Sequence, residues 1–191
     1  SYTPIPAQLA CGSRFTNPTL TAVVPDGPPG IPVSGANVPQ LWFRRSSPAT
    51  AWVHSSGTLS SGNGNSGTWS FTLDYTLLGL SGPSIGETYE YYIAAQDQAT
   101  NPSNPNIAFS SYDNATPVFT GNNVNNQVTP PTTPASFGIT SPMGGTVYVG
   151  AGSGTPQYPT FNGAGGLFDA LNNSGLSSNL TVIVQQASIT E

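Results

Sequence analysis

Residues 86–97, GETYEYYIAAQD, constrain this chain more than any other stretch. Tyr89, Tyr91, Ile93 and Ala95 fall on one face of an extended backbone. Glu90, Tyr92, Ala94 and Gln96 fall on the other. Aromatic and β-branched residues at period two predict a strand with one face in a core. A Gly precedes it, and the polar, proline-punctuated loop DQATNPSNPN follows it.

The region from Thr19 to Thr140 repeats that pattern in shorter pieces. Leu20 to Val24 is a β-branched run that stops at the turn cluster PDGPPG. In QLWFRR, residues 40–45, Leu41 and Phe43 share one face and Trp42 and Arg44 the other. Trp52, Val53 and His54 begin the answering strand, and SSGTLSSGNGNSG reads as a long polar hairpin loop. Trp69, Phe71 and Leu73 alternate again before GLSGPSIG turns the chain towards Tyr89. Short strands are then expected at residues 107–109, 117–120 and 137–140, separated by the Asn-rich GNNVNNQ and the joint TPPTTPAS. About seven short strands in roughly 120 residues, with no helical period, is the rhythm of an immunoglobulin or fibronectin-type β-sandwich. Tyr89 then stands at the tyrosine-corner position, and Trp42 or Phe43 supplies the large aromatic of the third strand. Residues 1–18 read as extended, because Pro4, Pro6 and Pro18 oppose a helix.

The character changes at Ser141. Val147 to Val149 is a short strand, and residues 163–174 carry an apolar stripe, Leu167, Phe168, Ala170 and Leu171, at helical spacing. Asn162 is the expected N-cap and Gly175 the expected C′ residue. NLTVIVQ, beginning at Asn179, is a strongly apolar strand. The expected division is therefore a sandwich over 1–140 and a small strand–helix–strand unit over 141–191. A unit of that size cannot bury both of its faces alone, so it must pack on something. Leu180, Val182, Ile183 and Val184 are the expected contact with another module or another copy.

Composition decides what such a chain can bind. Charged residues are 6% of the total, against about 25% in ordinary domains. There is no Lys, the basic residues are Arg14, Arg44 and Arg45, and the net charge is −5. Such a surface has no basic patch to neutralise phosphates, which disfavours nucleic acid and anionic membrane as partners. No apolar run is long enough to cross a membrane. The chain starts at Ser1 rather than Met, as expected of a processed chain or a piece of a longer one.

Catalytic constellations are hard to assemble. One His and one Cys cannot make a zinc site, and a Ser-His-Asp triad would have to use His54, which has no nucleophile elbow nearby. Asp26, Asp74, Glu87, Glu90, Asp97, Asp113 and Asp169 are the candidates for paired carboxylates, but most sit in turn sequences where Asp is favoured for local hydrogen bonds. No enzyme activity and no cofactor are expected. Calcium has one candidate cluster, Asp97, Asn101 and Asp113 with Asn104, which reads equally as a loop rich in Asx-turns. Trp42, Trp52 and Trp69 are either core and cross-strand packing or, if exposed on one face, a platform for sugar rings. GAGSG and NGAGG match no phosphate-binding fingerprint. Asn114, Asn172 and Asn179 fit the N-x-Ser/Thr pattern, which has little specificity. Cys11 is either a small buried hydrophobe or a site of lipid attachment or intermolecular disulfide formation.

Taken together, QLWFRR, TWSFTLDY and IGETYEYYIAAQDQATNP resemble an immunoglobulin-like domain of very large secreted surface proteins in gliding-type (Bacteroidota-like) bacteria. The opening YTPIPAQLACGSRFTNPTLTAVVPD is similar to the start of that domain, which would place Cys11 and Arg14 in its motif. The tail from Gly145 resembles the unit that caps a parallel β-helix in those proteins. The resemblance implies secretion or cell-surface display and a structural or adhesive role in long multi-domain chains. It implies no catalytic residues. The expected partners are the chain itself or adjacent domains, with a surface polysaccharide as alternative. Two rival readings remain beside it: a carbohydrate-binding module, and an accessory segment of a β-helix polysaccharide-degrading enzyme.

Overall fold

In the computed structural model, which describes residues 2–6, 8–9, 16–99, 107–109, 118–140, 143–174 and 176–185, the chain is mainly β. The first strands are β1 (Gln8–Leu9), β2 (Thr19–Pro25), β3 (Gln40–Ser47), β4 (Val53–Ser56), β5 (Thr58–Asn63) and β6 (Ser66–Thr72). A 3-10 turn at Tyr75–Leu78 leads to β7 (Thr88–Gln96), then β8 (Ile107–Phe109) and β9 (Val118–Phe119). A second 3-10 turn, Thr120–Asn122, precedes β10 (Gln127–Thr129), β11 (Ala135–Thr140), β12 (Met143–Gly150) and β13 (Gln157–Tyr158). One short helix, α1 (Leu167–Ser174), and β14 (Leu176–Gln185) complete the order.

The chain divides into two units. One comprises Ser1–Pro6, Thr16–Pro83 and Glu87–Gly138; the other comprises Ala7–Phe15, Ser84–Gly86 and Ile139–Glu191. The division therefore falls inside β11 at residue 138, and two short earlier segments join the C-terminal part.

The first unit holds two antiparallel arrays, β2–β6–β5 and β11–β7–β3–β4, with β8 on the far half of β7. β7 is the Tyr89 strand, and it is hydrogen-bonded along both edges. β3 pairs with it from Thr88 to Ala94, β11 from Thr88 to Tyr91, and β8 from Ala94 to Gln96. Alternation puts Leu41, Phe43, Tyr89, Tyr91 and Phe137 on one face, all buried. Leu20, Ala22, Trp69 and Phe71 form the buried row of the other array. Gly57 has to be glycine there, because a Cβ on it would lie 2.5 Å from the Phe71 ring.

The second face of β7 departs from expectation. The pattern assigns Tyr92, Ala94 and Gln96 to solvent, yet all three are buried. The segment carrying β9 and β10 lies over them as a strap, with Val124 fully buried against Trp42, Tyr92 and Ala94. The polar tips make this cover tolerable, because each finds a partner in it. Trp42 Nε1 donates to Val124 O at 3.0 Å, Val124 N donates to Gln96 Oε1 at 2.8 Å, and Gln127 Nε2 donates to Tyr92 Oη. The Asn-rich sequence is thus a lid on a small aromatic core.

Residues 55–67 form the expected hairpin, but most of the stretch is paired strand rather than loop. β5 and the start of β6 make a hairpin whose tip is held by Asn63 Oδ1, which accepts from Asn65 N at 2.9 Å and Ser66 N at 3.2 Å. A strand of Thr, Ser and Gly at a sheet edge buries little, so it leaves no hydrophobic alternation to read.

In the second unit β12 lies between β13 and β14, and all three strands are parallel. Val147, Val149 and Leu167 form its centre, with Met143, Tyr158, Phe161, Leu171, Leu180 and Val182 around them. The helix starts at Leu167, not at Gly163. Gly163 and Gly165 hold left-handed backbone (φ +87° and +77°), which a helix cannot contain. Asn162 is therefore not the N-cap; the Asp169 carboxylate accepts from Gly165 N at 2.9 Å. Phe168, expected in the buried stripe, is 49% exposed, and Gly175 lies outside the described residues.

Candidate functional site

The residues singled out as a contact surface lie on β14. Its register against β12 sets Val147 beside Val182, Tyr148 beside Ile183 and Val149 beside Val184. Leu180 and Val182 are half-buried against the α1 side of the sheet. Ile183 is 41% exposed and Val184 63%, and Leu176 is exposed at the start of the strand. Among the described residues no strand pairs with the outer edge of β14. Across its ten residues, LSSNLTVIVQ, there is no charge and no proline. Sheet edges are commonly blunted by Lys, Pro or a bulge, and this edge has none of the residue devices.

The opposite face of β12 is covered from within. A Cβ on Gly154 would lie 2.5 Å from the Tyr148 ring, so the loop backbone rests flat on that ring. Gln185 Nε2 donates to Ser153 O at 2.7 Å, and Gln157 Nε2 to Gly150 O at 2.7 Å. Hence GAGSG is rich in glycine for close packing on Tyr148 and Gln185, not for phosphate. Among the described residues of this unit, what remains open is an apolar strand edge.

The tryptophans do not come together as a platform. Trp69 is fully buried and Trp42 is 5% exposed, so neither offers a ring face to a sugar. Of the two readings, core packing holds for Trp42 and Trp69 and stacking on sugar does not, because the inward row takes Trp69 and the strap covers Trp42. Trp52 is half-buried; the Arg44 guanidinium sits 4.9 Å from its centroid, and the Tyr92 ring meets it edge-on at 5.4 Å. Arg44 also pairs with Glu90 at 2.7 Å. His54 packs its ring 4.4 Å from Trp42 and holds Nδ1 3.0 Å from Gln40 Oε1. Burial lowers its pKa from the ordinary histidine value.

Of the calcium candidates, Asn101 and Asp113 lie outside the described residues, as does Cys11. Asp97 Oδ1 accepts from Ala99 N at 3.1 Å, an Asx-turn. Among the described residues no three His, Cys, Asp or Glu side chains gather as metal ligands would. Asp74 caps the 3-10 turn, accepting from Thr76 N at 2.9 Å and Thr76 Oγ1 at 2.7 Å, and these bonds lower its pKa.

One polar cluster escaped sequence reading. Arg45 lies in register with Tyr89 on the inward face of the sheet. Its Nη1 meets Glu87 Oε1 at 2.5 Å, and Tyr89 Oη donates to Glu87 Oε2 at 2.6 Å. A tyrosine-corner hydroxyl bonds to backbone upstream, whereas this one is taken by a carboxylate two residues before it. The Tyr75 ring stands edge-on to Tyr89 at 5.1 Å. The available signal was the rarity of charge: Arg45 is one of only three basic residues, and a scarce charge inside a strand pattern asks for a partner. The cluster is enclosed in the fold and presents no cleft chemistry.

No protein-family model, no curated protein and no solved structure matches this chain.

Proposed function

We propose that this chain is a non-catalytic structural module of an extracellular surface or filament protein, built as an immunoglobulin-like sandwich and a strand–helix–strand unit. It assembles through the outer edge of β14. The sandwich reading is supported by the two arrays β2–β6–β5 and β11–β7–β3–β4, whose order matches the B–E–D and G–F–C–C′ sheets of such folds. The observation that carries assembly is the β14 edge, ten residues long, uncharged and exposing Ile183 and Val184. An edge of this kind recruits an extended partner by completing its ladder, and apolar side chains on alternate positions add affinity. The carbohydrate-binding reading is weakened by the burial of Trp42 and Trp69.

Because Ile183 and Val184 are exposed, charging them should leave folding within about 0.5 kcal/mol of the parent. Ile183→Lys combined with Val184→Lys is expected to weaken self-association at least tenfold in sedimentation velocity, with an unchanged melting temperature. A parent chain that stays monomeric at every concentration, or a variant that assembles as the parent does, overturns the proposal.

A further inference from the structure

We infer that the face of β3 and β7 beneath the strap is a seat for a β-turn, filled in this chain by its own residues 123–126 and able to take the same turn from a second copy. The strap brings its own shape to the seat. Asn126 N donates to Asn123 O at 2.9 Å and closes the turn, and Thr120 N donates to Asn126 O at 2.8 Å. Asn123 Oδ1 accepts from Asn125 N at 2.9 Å and from Asn125 Nδ2 at 3.0 Å. On either side of the turn, β9 and β10 pair with each other and, among the described residues, with no other strand.

The sheet reads this turn through side chains rather than through a ladder. Gln96 Oε1 takes the N–H of Val124 at 2.8 Å and Trp42 Nε1 donates to its carbonyl at 3.0 Å, so both polar groups of one residue are met. The Val124 side chain is fully buried against Trp42, Tyr92 and Ala94. Asn125 Nδ2 donates to Ala36 O at 2.9 Å, and Gln127 Nε2 donates to Tyr92 Oη. Trp42 and Gln96 are themselves buried, so an occupant that returns no carbonyl and no N–H leaves them unpaired. The seat therefore selects a small apolar residue at the head of an Asn-rich turn and rejects a charged one. A second copy carries that turn, and exchanging identical elements needs no new kind of contact. The tethered strap competes at an effective concentration of roughly millimolar, so exchange requires crowded copies or a strap that cannot seat. Every residue of the seat belongs to the first unit and none to β14, so it stands or falls apart from assembly through that edge.

The test uses the full chain with Val124→Asp, whose own strap cannot seat. The probe is a fluorescein-labelled peptide of residues 118–129 with Val118→Cys and Thr129→Cys, a pair opposite each other in β9 and β10, joined by a disulfide. Fluorescence anisotropy is expected to show saturable binding to the variant, at least tenfold tighter than to the parent. The same peptide carrying Val124→Asp is expected to bind the variant at least tenfold more weakly. Equal binding of the two peptides, equal binding by parent and variant, or no saturable binding to a folded variant overturns the seat. Where Val124→Asp fails to fold, hydrogen exchange on the unaltered parent decides. The Val124 N–H is expected to exchange at least tenfold faster than the β7 N–H groups paired with β3, because the turn leaves while the ladder stays. Strap and ladder exchanging together would mean that the turn leaves only on unfolding, which overturns the seat as well.

Discussion

Raising the pH past about 10 is expected to unfold the first unit in one cooperative step, driven by three tyrosines. Tyr75 is raised by burial and then by the Glu87 charge. Tyr89 is raised by burial and then by its hydrogen bond to Glu87, and Tyr92 by burial that its bond with Gln127 only partly offsets. All three pKa values lie above the ordinary value in the folded chain. The folded state therefore holds protons that the unfolded chain gives up above about pH 10. The associated stability is intact below that pH and falls as pH rises. Each tyrosine contributes a slope of about 1.4 kcal/mol per pH unit, and three together about 4. Against a typical domain stability of about 5–15 kcal/mol, that slope unfolds the unit within roughly one to four pH units.

The chain is well suited to this measurement. It has no Lys, and arginine does not titrate in this range, so tyrosine dominates the alkaline titration. Tyrosinate absorbance and loss of β-sheet circular dichroism should rise together in one step. Tyr75→Phe should shift the midpoint upward, since it removes one titrating group and a buried hydroxyl without a partner. A tyrosinate signal complete before the circular dichroism changes would mean that these hydroxyls titrate freely in the folded protein.

The second large effect is expected at Arg45. Arg45→Met takes the guanidinium away from the buried Glu87 carboxylate, to which Tyr89 Oη stays bonded. Breaking a buried pair from one side costs about 3 kcal/mol or more, which lowers the melting temperature by roughly 10 °C in a domain of this size. Arg45→Met with Glu87→Gln should recover most of that loss, because the charge that Arg45 balances is gone and an amide oxygen can still accept from Tyr89. A thermal-melt double-mutant cycle decides it. Losses that simply add would show that Arg45 and Glu87 act independently.

Legibility in the sequence followed the contrast between apolar and polar positions. β2, β3, β6 and β7 alternate strongly, and each stands close to where the pattern predicts it. β5 was hidden because a Ser- and Thr-rich edge strand has no apolar face to reveal it. The strap was hidden for a different reason. Alternation assigns residues to two faces but cannot tell whether a distant segment covers the second one, so Tyr92, Ala94 and Gln96 looked solvent-bound. The same limit leaves Trp42 open as a stacking residue in the sequence, whereas Val124 covers it in the fold. Glycine conformation moved the helix start, since a helical stripe says nothing of positive φ at Gly163 and Gly165. The apolar run Val182 to Val184 was plain, and so was its need for a partner. Its exposed part proved to be Ile183 and Val184, because α1 takes Leu180 and Val182.

The pairing of β7 on both edges also sets the order in which this module can be completed. Its two long neighbours come from opposite directions in the chain, β3 well before it and β11 well after. A growing chain that has just made β7 can close the ladder with β3 alone. The other edge, next to Tyr89 and Tyr91, stays bare until Ala135 to Gly138 emerges. Pairings between such distant segments are slow to form, and bare edges of this kind are where newly made chains aggregate. The strap and β11 are therefore the pieces that end the vulnerable interval of its folding.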